Sequence, residues 1–119
     1  MTSGRRSVSY VPERGDAVWL TFGPHAGHEQ AGRRPAVVLS PRAYNSRSGL
    51  AILCPVTTRA KGYPFEVLLP QGLPVAGAVQ VDQLKSVDWQ ARRASRICAL
   101  PADVTDEILG KLQPLVMRD

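Results

Sequence analysis

A mainly β fold is predicted here: a small, strongly bent antiparallel barrel with short helices, one of them terminal. Three features of the sequence carry that prediction. Apolar residues come in short runs or period-two alternations, the signature of strands. Glycine and proline number 10 each among 119 residues, enough to punctuate many turns but fewer than in disordered chains. After Pro101 the apolar period becomes that of a helix. A chain of this length fits one domain, and with 44% hydrophobic residues it can bury a core without disulfides or metals.

Gly15-Asp16 opens the first strand, where Val18, Leu20 and Phe22 alternate with Ala17, Trp19 and Thr21. Residues 23–33 are polar, contain Gly23, Gly27 and Gly32, and read as a long loop of the kind that often carries function. Pro35 to Leu39 is a second strand, apolar on both faces, which suggests a barrel interior on one side and an interface on the other. Ser40-Pro41 is a helix start, with Ser as N-cap, and Gly49 keeps that helix short. Leu50 to Pro55 is a third strand. Pro55 has no N–H for a ladder and marks a bulge or the strand's exit. Thr57 to Pro64 is a second polar loop. Phe65–Leu69 and Gly77–Val81 are strands joined by a Pro/Gly turn, and Leu84–Val87 and Arg96–Leu100 are two more. The terminal helix carries Val104, Ile108, Leu109, Leu112, Leu115 and Val116 on one stripe, with Pro114 weakening its end.

The formal net charge is +5. That balance favours an anionic partner such as nucleic acid, although a basic surface kept for solubility has the same signature. Cys54 and Cys98 lie far apart in apolar runs and form no CxxC pair. They read as free thiols of a reducing cytosol, with a disulfide between them as the alternative. No apolar stretch is long enough to span a membrane, and no apolar segment follows Arg5-Arg6. Residues 1–9 are therefore expected to be a flexible basic tail and 10–119 a single cytoplasmic domain.

Four constellations could carry chemistry. His25-Ala-Gly-His28-Glu29 has a metal-like spacing but sits in a glycine-containing loop with no third ligand nearby, so no metal or other cofactor is expected. Arg33-Arg34-Pro35 places a fork suited to phosphate beside a proline that holds its neighbour extended. Pro55 to Pro64 gathers hydroxyls, cations and Tyr63, a mixture that suits RNA as well as an ordinary polar hairpin. Asp88 to Arg96 is basic around Trp89, and reads more readily as a solvated turn with Trp89 in the core.

These stretches resemble, in order, the signatures of the MazF/PemK toxins. Glu29-Gln-Ala-Gly-Arg-Arg-Pro-Ala-Val-Val-Leu-Ser40 looks like the first. Pro55-Val-Thr-Thr58 with Lys61-Gly-Tyr-Pro-Phe-Glu66 is similar to the second, and Asp82-Gln-Leu-Lys-Ser-Val-Asp-Trp89 to the third. Gly15-Asp16 with Trp19 fits the usual opening. The likeness runs from about Tyr10 to Val116 and is nearest the MazF branch. It departs at Arg33, where some relatives carry His.

The resemblance implies an SH3-like small β-barrel of the CcdB, Kid and MazF type, a homodimer, a cognate MazE-like antitoxin, and cleavage of single-stranded RNA at short sequences. By family motif Arg34 and Thr57 match the catalytic arginine and threonine, and Glu29 an acidic residue of the site. Phe22, Gln30, Arg33, Thr58, Lys61 and Gln83 are expected to contact RNA. Such residue types suit a metal-free cut in which the ribose 2′-OH attacks the phosphorus: Arg34 faces the phosphorane, Thr57 bonds an oxygen or orients the arginine, and Glu29 is a candidate base. Two other readings remain at this point. A gyrase poison of the CcdB type shares the fold, but its C-terminal Trp has no counterpart in Val116-Met-Arg-Asp119. A non-catalytic RNA-binding barrel would bind RNA and leave it whole.

Overall fold

The computed structural model describes residues 10–22 and 32–118. In chain order the elements are β1 (Asp16–Thr21), β2 (Arg33–Val38), α1 (Arg42–Ser48), β3 (Leu50–Thr57), β4 (Glu66–Leu68) and β5 (Ala78–Gln80). A 3₁₀ turn (Val81–Gln83), β6 (Lys85–Asp88), β7 (Ser95–Ala99) and α2 (Ala102–Val116) complete the chain. Every pairing is antiparallel, in the order β4-β5-β3-β2-β1-β7, with β6 paired to the first half of β3. The bent sheet matches the expected mainly β fold with a terminal helix. Among the described strands no ladder joins β4 to β7, so hydrogen bonds do not close the barrel. Instead α2 packs on β4 and the 3₁₀ turn, and Lys111 Nζ donates to the Pro64 carbonyl at 2.7 Å.

The strand that organises the molecule is β3. It pairs with β2 along Leu53–Pro55, with β6 along Leu50–Leu53, and with β5 at Val56 and Thr57. Pro55 was expected to mark a bulge or an exit; the strand instead continues past it and exchanges β6 for β5. The β2–β3 ladder stops at the Ala36–Pro55 pair. Neither Pro35 nor Pro55 has an N–H to extend it, so the two strands separate there. Arg34 and Thr57 lie on the two sides of the gap.

The two-faced apolar strands are explained inside one chain. On one face Ala17, Val37, Cys54 and Val56 pack under Val104 and Ile108 of α2. On the other Val18, Leu20, Ala36 and Leu53 are closed over by Val87 and Trp89. The second apolar face is therefore a second core and not, as the sequence suggested, a surface left for a partner. Burying both faces of three strands is what makes continuous apolar runs of Ala36–Leu39 and Leu50–Cys54 necessary.

Polar anchors fix the ends. Buried Asp16 accepts hydrogen bonds from Tyr10 Oη at 2.6 Å and the Glu13 N–H at 3.1 Å, and pairs with Arg96 at 3.4 Å. Burial, and then the bond to Asp16, raise the Tyr10 phenol well above its ordinary pKa. Ser40 was expected to cap α1, but Pro41 occupies the N-cap position without a side-chain cap. The Ser40 hydroxyl is committed elsewhere: it donates to Asn45 Oδ1 at 2.5 Å and accepts from the Ile52 N–H at 2.8 Å. Asn45, fully buried, donates to the Pro12 and Ser40 carbonyls, and its own carbonyl accepts from Trp89 Nε1 at 2.9 Å. That network seats α1 on the sheet and identifies Trp89 as a core residue. Gly49, at φ 75°, ends the helix as expected.

Candidate active site

The gap between β2 and β3 is a cleft of about 240 Å³, lined by Arg34, Pro35, Pro55, Val56, Thr57, Thr58, Arg59 and Gln80. Arg34 was expected at a loop–strand junction. It lies within β2 opposite Leu20, so a strand and not a loop sets the direction of its exposed side chain. Thr57, expected in the loop, is the last residue of β3, paired with Ala78. Its Oγ1 accepts the Arg59 N–H at 3.1 Å. That bond uses a lone pair and leaves the hydroxyl proton for an acceptor in the cleft. Thr58 stands exposed beside it.

The threonine pair is held from behind. Gly77, at φ 124°, lies so close to the Thr57 carbonyl that a Cβ there would overlap the oxygen, and it would also stand 3.3 Å from Thr58 Cα. Only glycine permits that approach. From the other end, Glu66 Oε1 accepts the N–H groups of Lys61 and Gly62, each at 2.9 Å. The Lys61 ammonium lies 5.9 Å from the centre of the Tyr63 ring. The carboxylate thus orders the loop that carries Thr58, Arg59 and Lys61.

The remaining expected contact residues sit elsewhere. Arg33 does not line the cleft. Its guanidinium donates to Thr21 Oγ1, the Arg92 and Arg93 carbonyls and Ser95 Oγ, at 2.9–3.4 Å. It ties the β1–β2 end to the turn before β7, where Arg93 adopts a left-handed φ of 58°. Phe22 packs on the second core, with Lys85 Nζ 5.2 Å and the Arg92 guanidinium 6.0 Å from its ring centre. Gln83 is exposed on the 3₁₀ turn. Glu29 and Gln30, with His25 and His28, lie outside the described residues. Among the described residues no cluster of three or more His, Cys, Asp and Glu forms.

Sequence reasoning missed Gln80 altogether and gave Arg59 no role of its own beyond a place among the cations of its loop. For Gln80 the signal was a lone amide inside the apolar strand Gly77–Val81. Arg59 was hidden among the polar residues of its loop, and only the Thr57–Arg59 turn shows that it faces the same cleft. Among the described residues the cleft is lined by two arginines, two threonines and a glutamine, and by no acidic residue. It is built for an anion.

Residues 13–116 match the family model described as the PemK-like, MazF-like toxin of type II toxin-antitoxin systems. The chain belongs to that family. It is 45% identical over 107 residues to the endoribonuclease toxin MazF of Escherichia coli K12, an alignment covering 90% of this chain and 96% of the relative. Among solved structures it resembles MazF of Deinococcus radiodurans, at 58% identity and TM-score 0.82 over 91% of this chain and 98% of that one. A MazE-MazF crystal structure from the same organism matches at 51% identity and TM-score 0.83, over 93% of this chain and all of the other.

Proposed function

We propose that this MazF-family protein is a cytoplasmic endoribonuclease toxin that cuts single-stranded RNA at short sequences, without a metal, and is neutralised by a cognate antitoxin. The observation that carries the reading is the cleft itself: Arg34 and Thr57, from two strands that part at a pair of prolines, face one space that, among the described residues, is basic and lined by no acid. The relative at 45% identity is an endoribonuclease toxin, and a structural neighbour is a MazE-MazF assembly.

Cleavage proceeds by in-line attack of the ribose 2′-oxygen on the adjacent phosphorus. The P–O5′ bond breaks, leaving a 2′,3′-cyclic phosphate and a 5′-OH. The 2′ proton passes to a base and the departing 5′-oxygen gains one. Arg34 places its fork against the charge that grows on the phosphorane, and the free Thr57 proton bonds a non-bridging oxygen. A guanidinium holds its proton too firmly to be the base. Glu29 is the candidate for that step.

The test is a long single-stranded RNA incubated with the protein in EDTA, with fragment ends mapped. Cutting should persist and yield cyclic phosphate ends. One 2′-deoxyribose immediately 5′ of the mapped cut should abolish it while most binding remains, since the other phosphates are intact. Arg34→Ala should lose about 10²–10³-fold in rate, the scale of one transition-state donor, and Arg34→Lys should recover only part. Cutting of the deoxy-substituted RNA, or loss of activity in EDTA restored by zinc or magnesium, would overturn the mechanism.

A further inference from the structure

Two arginines share the cleft, and the proposed chemistry uses one. We propose that Arg59 is a phosphate-binding residue, holding a phosphate of the RNA next to the one that Arg34 attends; the inference rests on the endoribonuclease reading above. Arg59 lines the same cleft as Arg34 and Thr57. Its position is coupled to Thr57, because its own N–H is bonded to Thr57 Oγ1 at 3.1 Å. A side-chain-to-backbone turn of this kind fixes where the next side chain leaves the chain. The grip of Gly77 on the Thr57–Thr58 backbone therefore sets Arg59 as well.

Its charge has no acidic partner among the described residues. Among the described residues the one ion pair is Arg96 with Asp16, and no carboxylate lines the cleft. Glu66, the acid nearest in the loop, has Oε1 engaged by two backbone N–H groups. Arg33 shows the contrast, with its guanidinium consumed by four acceptors. Two guanidinium groups facing one small space repel one another, and an anion entering between them relieves that repulsion. A phosphodiester chain supplies successive anions, and the planar fork of arginine fits each. Phosphate contacts set register and carry no base information, so Arg59 contributes grip and not sequence choice.

The experiment measures binding and turnover together. The binding probe is a fluorescent oligoribonucleotide spanning a mapped cut site, with 2′-O-methyl groups blocking cleavage and every phosphate intact. If no cut site is found, a mixed-sequence oligonucleotide of the same chemistry serves. For Arg59→Gln, affinity should fall about tenfold or more. The slope of log affinity against log salt should shrink by about 0.7, the share of one phosphate on a single strand. In cutting assays KM should rise in proportion while kcat falls less than about threefold, and the mapped cut sites should not move. Arg59→Lys should restore the slope and part of the affinity. An unchanged slope and affinity in Arg59→Gln overturns the inference. So does a collapse of kcat with KM intact, which would make Arg59 part of the chemistry. Because the slope is a binding measurement, it reads Arg59 even if the wild-type protein cuts nothing, an outcome that counts against the proposed function alone.

Discussion

At Gly77, just before β5, the backbone runs into space that a methyl group would need, and the space belongs to Thr57. Gly77→Ala should lower stability by about 2 kcal/mol or more, from overlap and from the left-handed φ. Whatever folded protein remains should cut RNA slowly, because the shift falls on the threonine pair and its Arg59 bond. Denaturant melts and cutting rates check both; a variant with wild-type stability and rate would show that the contact does not matter. Cys54 is a residue-scale case of another kind. Burial, with a smaller push from Asp82, raises its thiol to about 12, and its Sγ–H points to the Val81 carbonyl. The folded pKa stands above the ordinary thiol value of 9.0, so the stability linked to this burial is complete below pH 9 and is lost as pH rises through about 12. Iodoacetamide at pH 8 should leave Cys54 unmodified in the folded protein and label it in denaturant; rapid labelling without denaturant would contradict its burial. Cys54 forms no bridge to Cys98. Cys98, Ala17, Val37 and Cys54 stand in a row across β7, β1, β2 and β3, so two strands lie between the cysteine backbones, and both thiols are free.

Among the elements, α1 depends on a polar network where the sequence offered a simple cap. Trp89→Phe would keep the ring's bulk but remove the indole donor to the Asn45 carbonyl, which retains only the Gly49 N–H, at a cost of about 1 kcal/mol. Asn45→Ala should cost at least as much, since the Ser40 hydroxyl loses its acceptor as well. Thermal melts of the two variants and the double variant test this, and additive losses would show that the bonds do not act as one network. The strands were legible in the sequence because alternation, glycine and proline are local signals: β1, β3 and β7 begin within a residue of their expected starts. The Ser40 cap was misread because its hydroxyl partner, Asn45, and the Ile52 N–H are brought to it by tertiary packing. Pro55 was misjudged for a similar reason. A proline that ends one ladder can let its strand begin another, and the new partner, β5, is distant in sequence. Arg34 and Thr57 were legible through family motifs. Gln80 was not, and Arg59 was legible only as one cation of its loop, because only the parting of β2 and β3 gathers them.

For the molecule as a whole, both faces of the central strands are covered within one chain, so those strands do not by themselves demand a partner. The homodimer implied by family membership must use surface that is still open, such as Leu68, Leu115, Val116 and Met117, all exposed. Light scattering at micromolar concentration should report a dimer, and a monomer would remove that expectation. Neutralisation belongs to the same scale, because it depends on net charge. With +5 overall and two arginines in a cleft that no described acid lines, the protein should attract an acidic, partly disordered antitoxin segment that orders as it binds. Such a segment brings carboxylates to the groups that hold phosphate, so it and RNA contend for the same guanidinium groups. Adding antitoxin to a complex with fluorescent, uncleavable RNA should release the RNA in proportion to the antitoxin bound, more sharply at low salt, where attraction between the charges is least screened. Arg34→Ala and Arg59→Gln should each weaken both ligands, since each removes a cation that both use. A stable ternary complex of protein, antitoxin and RNA, with neither affinity lowered by the other, would place the antitoxin outside the Arg34 cleft and require neutralisation by some route other than competition.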